Sequence, residues 1–145
     1  MSHSSKDTAA DYLQLSNTFL PAQPALAVTH AQKALQLALA QDKNGVAAEA
    51  CYLLGKGYFL MGEKETSLRH FKQAIEFGQV AGDDKTTSAS LNNEGLIYFE
   101  QGAWESAIDA YTKSLEIKER LTDERGTAVS CTNLGGVFFS ERQLS

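Results

Sequence analysis

The sequence predicts an all-α protein made of repeated pairs of antiparallel helices, and three observations carry that prediction. A glycine followed three residues later by an aromatic recurs at one fixed step, in Gly55-x-x-Tyr58, Gly95-x-x-Tyr98 and Gly135-x-x-Phe138. Only two prolines interrupt 145 residues rich in Ala, Leu, Gln, Glu and Lys, a composition that favours helix over sheet. Turn residues separate the apolar stretches at regular places, as in Met61-Gly62, Gly82-Asp83-Asp84 and Gln101-Gly102.

The step is 40 residues, and other columns keep it. Gly62 matches Gly102, Ser67 matches Ala107, Phe71 matches Tyr111, Ala74 matches Ser114 and Phe77 matches Ile117. One step earlier a weaker copy runs through Leu15, Ala22, Ala27, Ala31, Ala34 and Leu37, with Leu15 in place of the glycine and Ala31 in place of the aromatic. Self-similarity at one such period is the signature of a stacked helical array. The columns have a packing reason. Small residues at 55, 95 and 135 let a neighbouring helix approach closely, and Tyr58 and Tyr98 fill the space one turn further on. Ala27, Ser67 and Ala107, with Ala34, Ala74 and Ser114, do the same on a second helix around Phe71 and Tyr111.

Each period therefore reads as two helices. The first copy runs from Thr8 to Leu20 and turns through Pro21-Ala22-Gln23-Pro24, with Pro24 in the first turn of the next helix. The second copy gives Ala47 to Leu60 and Glu63 to Ala81; the third gives Thr86 to Glu100 and Ala103 to Leu121, with an exit loop from Thr122 to Gly126. Between copies, glycine closes one helix and Asp or Thr caps the next. A fourth copy supplies one helix, Thr127 to Ser140, and its second helix is missing. Leu134, Val137 and Phe138 are then expected to lack a cover. This predicts a segment of a longer protein, with an end that can pair with another copy.

Leu54-Gly55-x-x-Tyr58 with Gly62, Ser67, Phe71 and Ala74, and the matching third copy, resemble the tetratricopeptide repeat, in which Leu-Gly-x-x-Tyr is followed by Ala, Phe and Ala. The usual period of that repeat is about 34 residues, so the longer step implies longer helices and a longer loop between repeats. Long copies with a Gly-Asp loop and a start such as Asn133-Leu134-Gly135 are similar to two groups: polarity and motor-cargo adaptors, and the N-terminal arrays of bacterial histidine kinases and nucleotide cyclases. The resemblance covers about residues 8 to 142. It implies a right-handed superhelix, or solenoid, of tetratricopeptide-type helix pairs. It also implies a single domain over 1–145, with repeats at about 8–41, 47–81 and 86–121 and a partial fourth at 127–142.

The resemblance further implies a non-catalytic scaffold whose first helices line a concave groove that holds a peptide or protein segment. The groove-facing columns fall on Glu49, Tyr52, Leu53, Lys56 and Phe59 in the second repeat. In the third they fall on Asn92, Asn93, Leu96, Phe99 and Glu100, and in the fourth on Thr132, Asn133 and Gly136. Tyr12, Leu13 and Ser16 are the weaker counterparts in the first. Asn93 and Asn133 share a column, and an amide that both donates and accepts can read a ligand backbone whatever its sequence; each can equally bond a neighbouring turn. Tyr52, Phe59 and Phe99 are candidate apolar anchors or packing residues. Lys56 is the sole basic residue in the set, so the carboxylate clamp of some relatives, which needs several, is not expected.

Other chemistry finds little support. Glu94 stands where Leu54 and Leu134 place an apolar side chain, so it should find a partner, titrate upward or bend out to water. Cys51 and Cys131 lie two repeats apart, beyond the roughly 7 Å a disulfide spans, and read as small buried residues. His30 and His70 are one period apart, too far for ligands that must meet at about 2 Å, so no metal and no cofactor is expected. Gly55-x-Gly57 lies inside a helix and cannot be a phosphate loop. A net charge of −5 argues against nucleic acid and anionic membranes. No segment reaches the roughly 20 apolar residues of a membrane span, the opening Met1–Lys6 lacks the apolar core of a signal peptide, and two cysteines suit a reducing, cytoplasmic compartment. Two further readings remain: a sensory or regulatory region of a larger bacterial signalling enzyme, and a self-association module joined through the uncovered end.

Overall fold

A computed structural model describes residues 8–144. The opening Met1–Lys6 segment and the outermost residues of the expected domain lie outside them. The described residues form seven α-helices and no strand: α1 (Ala9–Phe19), α2 (Pro24–Ala40), α3 (Asn44–Leu60), α4 (Lys64–Ala81), α5 (Asp84–Glu100), α6 (Trp104–Arg120) and α7 (Glu124–Leu144). The fold is the all-α array of helix pairs that the period implied.

Helix starts show why the loops are shorter than the sequence suggested. Asp83 Oδ1 accepts the Thr86 N–H at 3.0 Å, and Asp123 Oδ1 accepts the Gly126 N–H at 2.9 Å. Each aspartate thus caps its helix from the residue just before it, so α5 begins at Asp84 and α7 at Glu124. Lys43 holds the matching place before α3 and makes no side-chain cap. α1 opens on a capping box, in which Thr8 and Asp11 exchange side-chain and backbone bonds. The helix ends repeat as strictly. Asp42, Gly82 and Thr122, one period apart, carry φ of 53°, 70° and 55° just beyond α2, α4 and α6. The left-handed turn belongs to the architecture, and only Gly82 adopts it without steric cost.

The chain divides into two compact units between Thr86 and Thr87, within the first turn of α5. In the first unit α1 packs on α2, α2 on α3 and α3 on α4. Its core gathers Leu20, Ala27, Val28, Ala31, Leu53 and Leu54, flanked by Leu13, Phe19, Leu35, Tyr52 and Tyr58. The glycine column works there as its spacing requires. A Cβ on Gly55 would lie 2.6 Å from the Phe71 ring, so the ring sits directly on the backbone and the Ser67 hydroxyl, beside it, donates to the Gly55 carbonyl at 2.6 Å. Gly57 permits a second close approach, since a Cβ there would meet Val28 Cγ2 at 2.5 Å.

In the first copy the register differs from expectation. Leu15 is 40% exposed, whereas Ser16 is fully buried with its hydroxyl donating to the Ala27 carbonyl at 2.7 Å. The Ser16–Ala27 contact spans 11 residues where the Gly55–Ser67 contact spans 12, so the 40-residue column is one residue out of phase in α1.

In the second unit α6 packs on α7, around Ala107, Tyr111 and Val137 with Tyr98, Phe99, Trp104, Ile108 and Leu134 against them. Tyr111 covers Gly95 as Phe71 covers Gly55, at 2.8 Å from a Cβ there, and Ser114 donates to the Ser88 carbonyl at 2.9 Å. Val137, expected to lack a cover, is fully buried, while Phe138 is 52% exposed. The two residues are about 100° apart around α7, and of the two only Val137 meets packed neighbours on every side.

Candidate functional site

On α3, burial consumes one side of the helix completely: Ala47, Ala48, Ala50, Cys51, Leu53, Leu54, Gly55 and Gly57 are all buried. Leu53 therefore serves the core rather than a surface. What remains partly open is a line of different character, with Tyr52, Lys56 and Phe59 half-buried and Glu49 exposed. Tyr52 is fixed from below by Phe71, ring centroids 6.0 Å apart and tilted by 56°. From above, the Lys56 ammonium lies 5.4 Å from the Tyr52 ring centre, and that of Lys64 lies 6.0 Å from the Phe59 ring. Two aromatic faces are thereby overlaid by cations, an arrangement that stiffens the long lysine side chains. Partial burial pushes the Glu49 carboxyl above its ordinary range, with Asp83 adding to the effect and Lys85 opposing it.

On α5 the corresponding residues Asn92, Asn93, Leu96 and Phe99 are half-buried and Glu100 is exposed. The amides have internal work. Asn93 Nδ2 donates to the Ala89 carbonyl one turn back at 3.1 Å, and Asn133 Nδ2 on α7 donates to Asn92 Oδ1 at 2.8 Å. Asn133 is thus tied to Asn92 rather than to Asn93, its partner in the column. Each amide keeps one further N–H, and the oxygens of Asn93 and Asn133 make no bond in these pairs. Phe99 leans on Trp104, centroids 5.7 Å apart. Trp104 escaped the sequence reading because its column holds Lys64 one period earlier. Thr132 and Gly136 are exposed on α7; Tyr12 and Leu13 on α1 are half-buried, and Ser16 is committed to the core.

The remaining polar candidates have structural settings. Glu94 is 8% exposed and engaged by an interaction. Cys51 is buried and its thiol is pushed up to about 12 by desolvation, which keeps it protonated; Cys131 is exposed, and neither is in a disulfide. Burial likewise pushes the Tyr111 hydroxyl up to about 12, with Glu100 adding to it. His30 stacks between Tyr12 and Phe19, and His70 lies flat on Tyr58 at 5.3 Å with its Nδ1 3.2 Å from Gln73 Oε1. The column of the two histidines is therefore an aromatic contact between paired helices. Among the described residues no three His, Cys, Asp or Glu side chains form a group that could hold a metal ion. No helix among them is long and apolar enough to cross a membrane. A shallow, open hollow of about 400 Å³ lies over α1 and α2, lined by Tyr12, Thr29, His30, Gln32, Lys33 and Gln36.

Comparison with known proteins places this geometry. The fold is similar to that of aspartyl phosphate phosphatase F from Bacillus subtilis, with a TM-score of 0.85, 14% identity, and coverage of 94% of this chain and 36% of that one. BtubC from P. vanneervenii gives a TM-score of 0.82 at 17% identity over 92% of this chain and 56% of that one. The apo form of RapI gives 0.84 at 17% identity over 94% and 38%. At these identities the likeness is one of fold, and the chain spans between about a third and just over half the length of those proteins. No curated protein matches the sequence. Residues 48–120, half of the chain, match the model of the tetratricopeptide repeat. They contain both glycine–aromatic seats and the Asp83 cap of α5, and the chain belongs to the tetratricopeptide repeat family, whose helical arrays are generally protein-interaction modules.

Proposed function

We propose that the protein is a non-catalytic scaffold that takes a peptide or protein segment on the partly open face of its first helices, in a groove of the kind such arrays form. One observation carries the proposal: on α3 a complete buried side stands back to back with half-buried Tyr52, Lys56 and Phe59, of which Tyr52 also packs on Phe71. Asn92, Asn93, Leu96 and Phe99 on α5, with Asn133 on α7, offer the same mixture of amide and apolar groups in the second unit. Aromatic anchors beside adaptable polar groups are the composition of binding surfaces. The 40-residue period runs through the division at Thr86, which supports reading the chain as one repeat domain. The buried, protonated Cys51 thiol and the stacked histidines support a structural rather than a catalytic use of the groups most apt for chemistry. Aspartyl phosphate phosphatase F shares the fold at 14% identity, and a fold does not carry an activity with it. The two cysteines outside disulfides suit work in the cytoplasm.

Selection of peptides against the intact chain, followed by titration of the selected peptides, tests the proposal. Lys56→Ala and Phe59→Ala should each weaken binding by about tenfold or more, with helicity by circular dichroism unchanged. Asn93→Ala with Asn133→Ala should weaken it as well. Affinity indifferent to all of these variants contradicts the proposal.

A further inference from the structure

Asn44 and Gly45 open α3, and they are the one Asn-Gly pair in the sequence. The other asparagines, Asn17, Asn92, Asn93 and Asn133, each precede a residue with a side chain. An asparagine before glycine sets an electrophile against a nucleophile on adjacent residues. The electrophile is its own side-chain carbonyl carbon; the nucleophile is the next backbone nitrogen, which no Cβ shields. At the start of α3 neither group is engaged. The Asn44 amide meets no hydrogen-bond partner among the described residues. The first backbone N–H of this helix to find a partner is that of Ala47, on the Lys43 carbonyl at 2.9 Å. The Gly45 N–H, two residues earlier, is therefore one of the orphan donors of a helix start. Both residues are half-buried, within reach of water. A Cβ on Gly45 would meet only Ala81 Cβ, at 3.9 Å, so the space beside the nitrogen is open.

The closed turn still hinders the pair, because a helical backbone angle at Asn44 holds the Gly45 nitrogen out of line with the side-chain carbonyl carbon. The turn has to open first, and α3 is held less firmly there than its counterparts. Asp83 and Asp123 cap the starts of α5 and α7, whereas Lys43 in the matching place makes no side-chain cap. A first turn without a cap opens more readily. One position further on, the column reads Asn44, Asp84 and Glu124. Of these three starts, α3 alone lacks an acid where the free N–H groups favour one.

We infer that Asn44 is a site of self-modification, at which α3 loses an amide and acquires the acid of the other two starts. The Gly45 nitrogen bonds the Asn44 side-chain carbonyl carbon, the carbon–nitrogen bond of the side-chain amide breaks, and the displaced nitrogen leaves as ammonia with the Gly45 proton. Water then opens the cyclic imide. Opening at the side-chain carbonyl gives aspartate; opening at the main-chain carbonyl gives isoaspartate, with the backbone routed through the former side chain. Each product adds a negative charge. Aspartate completes the acidic column and stabilises the helix start, whereas isoaspartate adds a backbone carbon to the first turn and disturbs it. The chemistry involves none of the residues assigned to peptide binding and stands independently of that proposal.

Peptide mapping by mass spectrometry tests it, after the intact chain has stood in mildly alkaline buffer, where base draws the proton from the Gly45 nitrogen. The incubation lasts several times as long as a synthetic peptide of residues 41–48 needs to convert. The expected result is aspartate and isoaspartate at Asn44, while Asn17, Asn92, Asn93 and Asn133 keep their amides. Lys43→Ser, which supplies a neutral cap, should slow the conversion by about fivefold, the factor that corresponds to a cap of about 1 kcal/mol. Lys43→Ala, which supplies none, should leave the rate unchanged, and circular dichroism of both variants verifies that the helices are kept. An amide that survives at Asn44, or conversion spread equally over the asparagines, overturns the inference. So does an equal rate in Lys43→Ser and Lys43→Ala, since the open first turn would then have no part in the reaction.

Discussion

Gly55 on α3 and Gly135 on α7 belong to one sequence column, and each is followed three residues later by an aromatic. Around Gly55 the motif is closed: the Phe71 ring lies on the backbone, Ser67 bonds the glycine carbonyl, and Tyr58 is half-buried under His70. Around Gly135 the same motif is open, with free space over the glycine and Phe138 half in solvent. The motif therefore specifies a seat for a helix rather than a packed core. Whether it adds stability or offers a surface depends on what fills it. The two units, each with a filled seat at Gly55 or Gly95, show the closed form, and Gly135 on α7 shows the open one.

The largest expected effect is the loss of the ring that fills the seat. Phe71→Ala should cost about 3–5 kcal/mol in the stability of the first unit, while Phe138→Ala should stay within about 0.5 kcal/mol for the monomer; chemical denaturation of both variants measures the contrast. Next comes the floor of the seat. Gly55→Ala should destabilise by about 1–3 kcal/mol because the new methyl meets the Phe71 ring. Gly135→Ala should stabilise α7 by up to about 1 kcal/mol, since it gains helix propensity and meets nothing. Equal effects at the two glycines would erase the distinction between closed and open seats.

A smaller effect concerns a column beside the seat. Ala50, Ser90 and Ser130 stand one period apart and all are fully buried, but the hydroxyls of Ser90 and Ser130 make no hydrogen bond. Ser90→Ala should raise the melting temperature, with a gain of about 1 kcal/mol from removing an unsatisfied buried group. The smallest effect is a pH dependence. Burial holds the His70 pKa below its ordinary 6.5, with Gln73 opposing and Arg69 adding. The folded state therefore binds fewer protons than the unfolded one. Its contribution is fully present above pH 6.5 and is lost as the pH falls through that value toward the folded-state pKa. Melting temperatures recorded on either side of that value should fall more on acidification in the wild type than in His70→Gln.

Much of this was legible in the sequence because packing columns repeat. The close approaches at Gly55 and Gly95, the aromatic partners Phe71 and Tyr111, and the pairing of helices all follow from residues that recur at one step. Features that depend on phase or on a single contact did not follow. Ser16 replaces Leu15 at the α1–α2 crossing because one residue fewer separates the contact positions there than at the α3–α4 crossing. Gly57 meets Val28, a contact between different periods that no column marks. The short loops before α5 and α7 rest on Asp83 and Asp123 as caps, a signal present in the sequence once the left-handed positions 42, 82 and 122 are aligned. At the candidate site the column of Asn93 and Asn133 was visible, whereas the bond from Asn133 to Asn92 was not, because a register of 41 residues joins helices rather than repeats.

Amide hydrogen exchange of the intact chain, with and without a selected peptide bound, tests the assignment of function most directly. Protection should rise over residues 49–60 of α3 and 92–100 of α5, and should stay unchanged over 66–80 of α4 and 107–118 of α6. Protection confined to the second helices, or to α7 alone, would contradict a binding surface on the first helices.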